Sequence, residues 1–175
     1  MGNMKETAVD AILDGMKASG ISLVTTLPTH QVVNLRNALE DDSELNHVPV
    51  ANEGDAVGIC SGAWLGGKMG ALIAQENGMI LATYHLLGTM DHHGGFPMVM
   101  LIDMPGHASF ANSSPPHFYY YALYAPKILE TLQLPYSFVN DVDKVRDGIQ
   151  ATVNAAQGLM RPAALIMGAE LYSRD

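Results

Sequence analysis

Short apolar runs alternate with longer segments of helical periodicity from one end of the chain to the other. The runs cover residues 21–27, 47–51, 71–75, 97–103, 136–139 and 163–167, and the first of them is rich in β-branched residues. Strands separated by helices build right-handed β-α-β units. The pattern therefore predicts an α/β fold with a doubly wound, mostly parallel sheet and helices on both faces.

Helical patterns fill the intervals between these runs. They are expected over residues 1–20, 30–40, 55–67, 79–90, 119–134 and 141–157. No low-complexity tract or linker composition divides the chain, so residues 1–175 are expected to form a single domain.

Composition excludes several classes of protein. The net charge of −9 argues against a nucleic-acid surface, which needs clustered Lys and Arg. Cys60 is the only cysteine, so no internal disulfide is possible and a reducing compartment is expected. Because neither a signal peptide nor a membrane span is apparent, we expect a cytoplasmic protein.

Polar residues follow several of the predicted strands. In doubly wound sheets, ligands bind outside the carboxyl ends of the strands. That rule selects five segments, which are residues 28–31, 52–55, 75–79, 103–117 and 140–141. Functional residues are therefore sought in these five places.

Glu53 is the first candidate, because it follows a predicted strand and precedes a helix rich in small residues. Those small residues are Ala56, Gly58, Ser61, Gly62 and Ala63. They would allow a flat ring or another backbone to approach closely. An alternative interpretation is that an acid at a helix N-terminus only complements the helix dipole.

The residues around Glu53 carry a resemblance to a known family. The segment NEGDAVG at 52–58, followed by Gly62-Ala63 and by Gly-Gly-Lys at 66–68, resembles the pyrimidine domain of thiamine-diphosphate enzymes. More narrowly, the chain is similar to the alpha subunits of sulfopyruvate decarboxylases and to the matching half of phosphonopyruvate decarboxylases. The likeness extends from residue 20 to the segment LQLPY at 132–136.

The resemblance implies thiamine diphosphate as cofactor and a catalytic role for Glu53. In the family, the corresponding glutamate hydrogen-bonds N1′ of the aminopyrimidine and favours its imino tautomer, whose 4′-nitrogen takes the proton from C2. The protein positions the cofactor, and the cofactor carries the electron-sink chemistry. The implied reaction converts a small anionic 2-oxo acid, such as sulfopyruvate or phosphonopyruvate, to an aldehyde and CO₂.

A second implication comes from what the sequence lacks. The diphosphate-binding half of such enzymes carries Gly-Asp-Gly followed by Asn-Asn, and these residues hold Mg²⁺ on the diphosphate. Neither motif occurs in this sequence. The resemblance thus implies a hetero-oligomer in which a beta subunit holds the diphosphate and Mg²⁺, and in which this chain is active only with that partner.

Two further edge segments match positions that face the cofactor or the substrate in the family. Gln75, Asn77 and Gly78 are expected to contact the cofactor, although Glu76 and Asn77 depart from the family's usual residues. A strand-to-helix turn in which Gly78 supplies backbone freedom is the alternative. Thr29 and His30 are expected on the substrate side, with a helix-capping Thr29 and a surface His30 as the alternative.

Five histidines form an unusual group, but none of them pairs at metal-ligand spacing. They are His85, His92, His93, His107 and His117. No metal site is predicted within this chain, because ligands must converge, as at i and i+4 on one helix. His107 is expected on the substrate side, and the roles of the other four stay open.

Cys60 lies within a predicted helix rather than directly after a strand, so a nucleophile elbow is not expected.

Three other interpretations of the chain remain open. A non-catalytic assembly or regulatory subunit of the same fold and a thiamine-diphosphate carboligase subunit are the alternatives to a decarboxylase. A stand-alone α/β enzyme or small-ligand-binding domain that uses the histidine-containing loop is the third. The sequence does not define which 2-oxo acid is used.

Overall fold

A six-stranded parallel sheet forms the centre of the computed structural model, which describes residues 3–90, 95–104 and 116–173. The strands are β1 (Ile21–Thr26), β2 (Asn46–Pro49), β3 (Met69–Gln75), β4 (Val99–Asp103), β5 (Tyr136–Val139) and β6 (Ala163–Met167). Their order is β2-β1-β3-β4-β6-β5. The winding direction reverses between β1 and β3, so the carboxyl ends of these two strands define the crevice where such folds bind ligands.

Seven α-helices cover the two faces of the sheet within the described ranges. They are α1 (Glu6–Ala18), α2 (Val33–Asp41), α3 (Glu53–Leu65), α4 (Glu76–Leu81), α5 (Thr83–Gly88), α6 (Pro116–Thr131) and α7 (Val145–Leu159). The helices α1, α2 and α7 pack on one face, and α3, α4, α5 and α6 pack on the other. The predicted doubly wound α/β class is confirmed.

Burial explains why the central strands read as continuous apolar runs. Every residue of β4 and β6 is buried, as are the first six residues of β3, because helices cover both sides of these strands. The first helix instead buries a single stripe that includes Ala8, Ile12 and Met16.

The region after β3 differs from the single helix that the sequence predicts over residues 79–90. The helix α4 begins at Glu76, directly after β3, and a ψ of −10° at Ala82 separates it from α5. Each of the two short helices keeps its own residue in the core, Met79 in α4 and Leu86 in α5. As a result, Gly78 lies inside a helix rather than in a turn.

Some predictions fall on parts of the chain that the structure does not describe. His92, His93 and His107 lie outside the described residues, and for His117 only the backbone, within α6, is described. Within the described ranges, no helix combines the length and the apolar character needed to cross a membrane.

Candidate functional site

Glu53 is the first residue of α3, and its position is fixed by a well-formed helix cap. The Oδ1 atom of Asn52 accepts a hydrogen bond from the backbone N of Asp55 at 2.9 Å. The Nδ2 atom of Asn52 donates to the Asp55 carboxylate at 2.6 Å. These two bonds hold the first turn of α3, and Glu53 with it, in one geometry. Glu53 is half-buried.

The Glu53 side chain lies against the backbone of Gly78 in α4. A Cβ atom added to Gly78 would lie 2.8 Å from Cδ and 2.9 Å from Cγ of Glu53, closer than real Cβ contacts permit. Gly78 has no positive φ, so the interpretation that it supplies backbone freedom is wrong. A larger residue there would have to displace the Glu53 side chain. The structure thus brings together two of the residues predicted to bind the cofactor.

A histidine ring packs on the residue that follows Glu53. The His85 ring lies against Gly54, where an added Cβ would be 2.5 Å from Nε2. The Tyr84 ring meets the His85 ring edge-on at 5.5 Å between centroids. A cleft of about 650 Å³ opens beside this contact between α3 and α5. Small residues of α3, including Gly58 and Ser61, form one wall of the cleft.

Gln75 lies at the crevice between β1 and β3, at the last position of β3. Its Nε2 atom donates a hydrogen bond to Oε1 of Gln31 at 2.5 Å. Gln31 belongs to the 3-10 turn His30–Val32, which follows β1. The bond therefore links the segments that follow the two strands of the crevice.

Asn77 turns back on its own backbone. It is exposed, and its Oδ1 atom accepts from the backbone N of Gly78 at 2.9 Å. The side-chain carbonyl oxygen of Asn77 therefore already accepts one hydrogen bond, while the side-chain amide nitrogen can still donate to a ligand.

Thr29 and His30 lie on the β1 side of the crevice. Thr29 precedes the 3-10 turn, but its side chain makes no capping hydrogen bond, so the capping interpretation is wrong. Its Oγ1 atom is buried, and no described residue is its hydrogen-bond partner. His30 is exposed. Thr29 and His30 directly precede Gln31, whereas Glu53 and Gly78 form a separate contact.

Two buried acids that the sequence analysis assigned no role lie next to Gln75. Asp103 is the neighbour of Gln75 in the register of β3 and β4, and its side chain is fully buried. Burial raises the pKa of Asp103 to about 7, and the Tyr172 hydroxyl and the Gln75 amide partly oppose that increase. Glu76 is also fully buried.

Tyr172 completes this buried group. Its pKa is raised well above the usual tyrosine value, first by burial and then by the charge of Asp103. The one sequence signal for the group is Asp103 itself, an acid that ends a continuous apolar run. Such a residue at the end of a buried strand indicates a polar contact that the sequence alone does not identify.

Cys60 lies in the core between α3 and the sheet. Its Sγ atom is 3.7 Å from Oγ1 of Thr25. Burial raises the pKa of the Cys60 thiol to about 11. A protonated, inaccessible thiol cannot act as a nucleophile, so Cys60 is a packing residue. Across the described ranges, no three His, Cys, Asp or Glu side chains converge as metal ligands.

Comparison with known proteins places this chain in a family. The model of the thiamine pyrophosphate enzyme, N-terminal TPP binding domain, matches residues 6–114. The chain belongs to this family. It is 27% identical over 173 residues to the sulfopyruvate decarboxylase subunit alpha of Methanococcus maripaludis, which covers 99% of each chain.

Two further relatives match shorter stretches. The sulfopyruvate decarboxylase subunit alpha of Methanothermobacter thermautotrophicus is 35% identical over 105 residues, 52% of this chain and 62% of that one. The phosphonopyruvate decarboxylase of Streptomyces viridochromogenes is 28% identical over 95 residues, 54% of this chain and 24% of that one. The resemblance to thiamine-diphosphate-dependent decarboxylases of these two types is confirmed.

Proposed function

We propose that this chain is the alpha subunit of a split thiamine-diphosphate-dependent 2-oxo acid decarboxylase. Glu53 contacts the aminopyrimidine of the cofactor, and a beta subunit holds the diphosphate and Mg²⁺. The observation that carries the proposal is the contact of the Glu53 side chain with Gly78, in a chain of a thiamine-pyrophosphate-binding family. The alpha-subunit names of the relatives support the need for a second chain.

The described residues fit an aminopyrimidine ring. Glu53 offers a half-buried carboxylate at the start of a helix, and the small residues beside it leave space for a flat group. Gln75 adds an amide at the crevice between β1 and β3. Carboxylates accept hydrogen bonds and, when protonated, donate one, so Glu53 can share a proton with a ring nitrogen.

Thiamine diphosphate supplies the carbon nucleophile and the electron sink for loss of CO₂ from a 2-oxo acid. The contribution of this chain is to hold a proton between the Glu53 carboxyl group and N1′ of the ring. A proton held in this way transfers efficiently only when donor and acceptor keep a fixed distance. The Asn52 cap and the close approach to Gly78 provide that constraint.

The substrate is proposed to be a small anionic 2-oxo acid of the sulfopyruvate or phosphonopyruvate kind. Thr29 and His30 flank the crevice on the β1 side, and Gln75 flanks it on the β3 side. Asn77 stays a proposed cofactor contact and His107 a proposed substrate contact. A ring N–H of His30 can donate a hydrogen bond to the second anionic group of the substrate.

Exposed apolar side chains on the helices next to Glu53 support the need for a partner. Leu65 is 75% exposed, Leu81 66% and Tyr84 80%, and all three lie on α3, α4 or α5. Exposed apolar surface of this kind is typical of sites that another protein covers. We propose a cytoplasmic hetero-oligomer in which the beta subunit covers this side.

Reconstitution tests the proposal. The chain is co-expressed with the partner chain that carries Gly-Asp-Gly and Asn-Asn, and CO₂ release from sulfopyruvate and phosphonopyruvate is measured with thiamine diphosphate and Mg²⁺. We expect turnover by the mixture and none by either chain alone. A stable complex that binds the cofactor but releases no CO₂ from either acid would contradict the proposed reaction. Turnover by this chain alone would contradict the split enzyme.

A further inference from the structure

Gln31 and Gln75 join the ends of the two strands that border the crevice. Gln31 lies in the 3-10 turn after β1, and Gln75 is the last residue of β3. The Nε2 atom of Gln75 donates to Oε1 of Gln31 at 2.5 Å. Both side chains are partly exposed, so a ligand in the crevice can reach them. Gln31 is not among the site residues predicted from the sequence.

The N-terminal segment holds the turn that carries Gln31. The backbone N of Met4 donates to the carbonyl oxygen of Gln31 at 3.0 Å. The Nδ2 atom of Asn34 donates to the carbonyl oxygen of Met4 at 3.1 Å, and Met4 forms an antiparallel bridge with Tyr172. A backbone held in this way loses little further freedom when a ligand binds, so Gln31 is pre-organised for a contact.

The bond between the two glutamines decides which group each of them offers to a ligand. A primary amide has one carbonyl oxygen, which accepts, and two N–H groups, which donate. The bond uses the carbonyl oxygen of Gln31 and one N–H group of Gln75. It therefore leaves the amino group of Gln31 as a donor and the carbonyl oxygen of Gln75 as an acceptor.

The β1 side of the crevice carries uncharged donors. Besides the amino group of Gln31, the hydroxyl of Thr29 is buried and has no hydrogen-bond partner within the described part of the chain. The segments 28–31, 52–55 and 75–79 contain no Lys or Arg. A carboxylate accepts hydrogen bonds at both oxygens, so it fits these donors, whereas the carbonyl oxygen of Gln75 would repel it.

We propose that Gln31 is a substrate-binding residue, whose amino group donates a hydrogen bond to the carboxylate of the 2-oxo acid. The bond from Gln75 occupies the carbonyl oxygen of Gln31 and thereby directs its amino group to the substrate. His30 is left for the second anionic group. This inference rests on the proposed function, because it takes the crevice between β1 and β3 to be the substrate side of the site.

Gln31→Glu tests the contact in the reconstituted enzyme. The variant keeps an acceptor for Gln75 but replaces the donor by an oxygen that repels a carboxylate. We expect the KM for the 2-oxo acid to rise about 10- to 100-fold, while kcat changes less than about threefold. Inhibition by pyruvate, which has the carboxylate but no second anionic group, should weaken by the same factor. Pyruvate that inhibits both enzymes equally would overturn the assignment to the carboxylate.

Two further variants serve as controls. Gln150→Glu makes the same change at an exposed glutamine of α7, whose Nε2 donates to Asn154 at 3.1 Å, and it should leave the KM unchanged. Gln31→Met removes the amide without adding a charge and should raise the KM by a smaller factor than Gln31→Glu. It also decides the question if Gln31→Glu does not fold. A KM of Gln31→Met equal to that of Gln150→Glu overturns the proposal.

Calorimetry separates this inference from the proposed function. Binding of sulfopyruvate and phosphonopyruvate to the reconstituted complex is measured without thiamine diphosphate. We expect the dissociation constant to rise in Gln31→Glu and not in Gln150→Glu. Binding that depends on Gln31 without any CO₂ release by the complete enzyme would contradict the proposed function and leave this inference standing. Turnover with a dissociation constant independent of Gln31, or an unmodified complex that binds neither acid, would overturn the inference.

Discussion

At the residue scale, the position of the Glu53 carboxyl group depends on how closely its side chain approaches the backbone of Gly78. The Cγ and Cδ atoms of Glu53 occupy the space that any larger residue at position 78 would need. The Asn52 cap holds the backbone of Glu53 at the start of α3, and the contact with Gly78 holds its side chain. A small change at position 78 should therefore act on Glu53 rather than on the fold as a whole.

Gly78→Ala tests this contact. The added methyl group is expected to displace the Glu53 carboxyl group and to reduce turnover of the reconstituted enzyme about 10- to 100-fold. The cost in unfolding free energy should be limited to about 1–3 kcal/mol, measured by urea denaturation. Gly158→Ala is the control, because position 158 lies on α7 with open space around it. Equal turnover of the two variants would contradict the constraint on Glu53.

The raised pKa of Asp103 predicts how the unfolding free energy of the chain changes with pH. The Asp103 pKa is about 7 in the folded chain, above the ordinary aspartate value of 3.8 that holds in an unfolded chain, so the folded state binds the proton more tightly. Protonation of Asp103 therefore adds about 4 kcal/mol to the unfolding free energy below about pH 4. This stabilisation is lost as the pH rises to about 7, and above that pH Asp103 causes no further change.

Asp103→Asn should remove this part of the pH dependence. Urea denaturation between about pH 5 and pH 8 is expected to show the variant gaining stability relative to the unmodified chain as the pH rises, because the asparagine never ionises. Unfolding free energies that stay parallel over this range would mean that Asp103 does not titrate near neutral pH.

The sequence predicts individual candidate residues better than it predicts their contacts. Glu53 is recognised because it follows a strand and precedes a helix rich in small residues. The group of Gln31, Gln75 and Asp103 is not, because it depends on the register of β3 with β4 and on a turn that follows β1. Neither feature leaves a periodic signal in the sequence.

At the element scale, α3 has two separate tasks. Its first turn presents Glu53, and its buried side packs Ala56, Val57 and Cys60 against the sheet. Strand boundaries were predictable because helices bury the central strands on both faces. The division between α4 and α5 was not, since no Pro or Gly marks Ala82 and the helical pattern continues through it.

Removal of the cap should weaken the first turn of α3. Asn52→Ala deletes the acceptor for the backbone N of Asp55 and is expected to cost about 1 kcal/mol of unfolding free energy. The control is Asn154→Ala, which replaces an exposed residue inside α7 and should be neutral or slightly stabilising. Thermal or urea unfolding measures both. A stability loss as large in Asn154→Ala would show that the cap contributes nothing specific.

The packing of α3 on the sheet predicts an unreactive thiol. Cys60 is buried and its pKa is raised to about 11, so at about pH 8 it should not react with a disulfide reagent in the folded chain. It should react completely once urea unfolds the protein. Rapid stoichiometric reaction without denaturant would contradict the placement of Cys60 in the core.

At the scale of the whole molecule, the strand order places the candidate residues at the carboxyl end of the sheet. The winding direction reverses at the crevice between β1 and β3, and this crevice is where Gln75, Thr29 and His30 lie. Glu53 is brought to the same end by the helix after β2, and exposed apolar residues lie on α3, α4 and α5. This arrangement is what we expect of half an active site whose other half belongs to a second chain.

Glu53→Gln in the reconstituted enzyme tests the central proposal most directly. The substitution keeps the shape of the side chain but removes the carboxyl group that would share a proton with the cofactor. We predict that the complex still assembles and that the kcat for CO₂ release falls about 100-fold or more. Assembly with full turnover would contradict the proposed role of Glu53 and favour a non-catalytic alpha subunit.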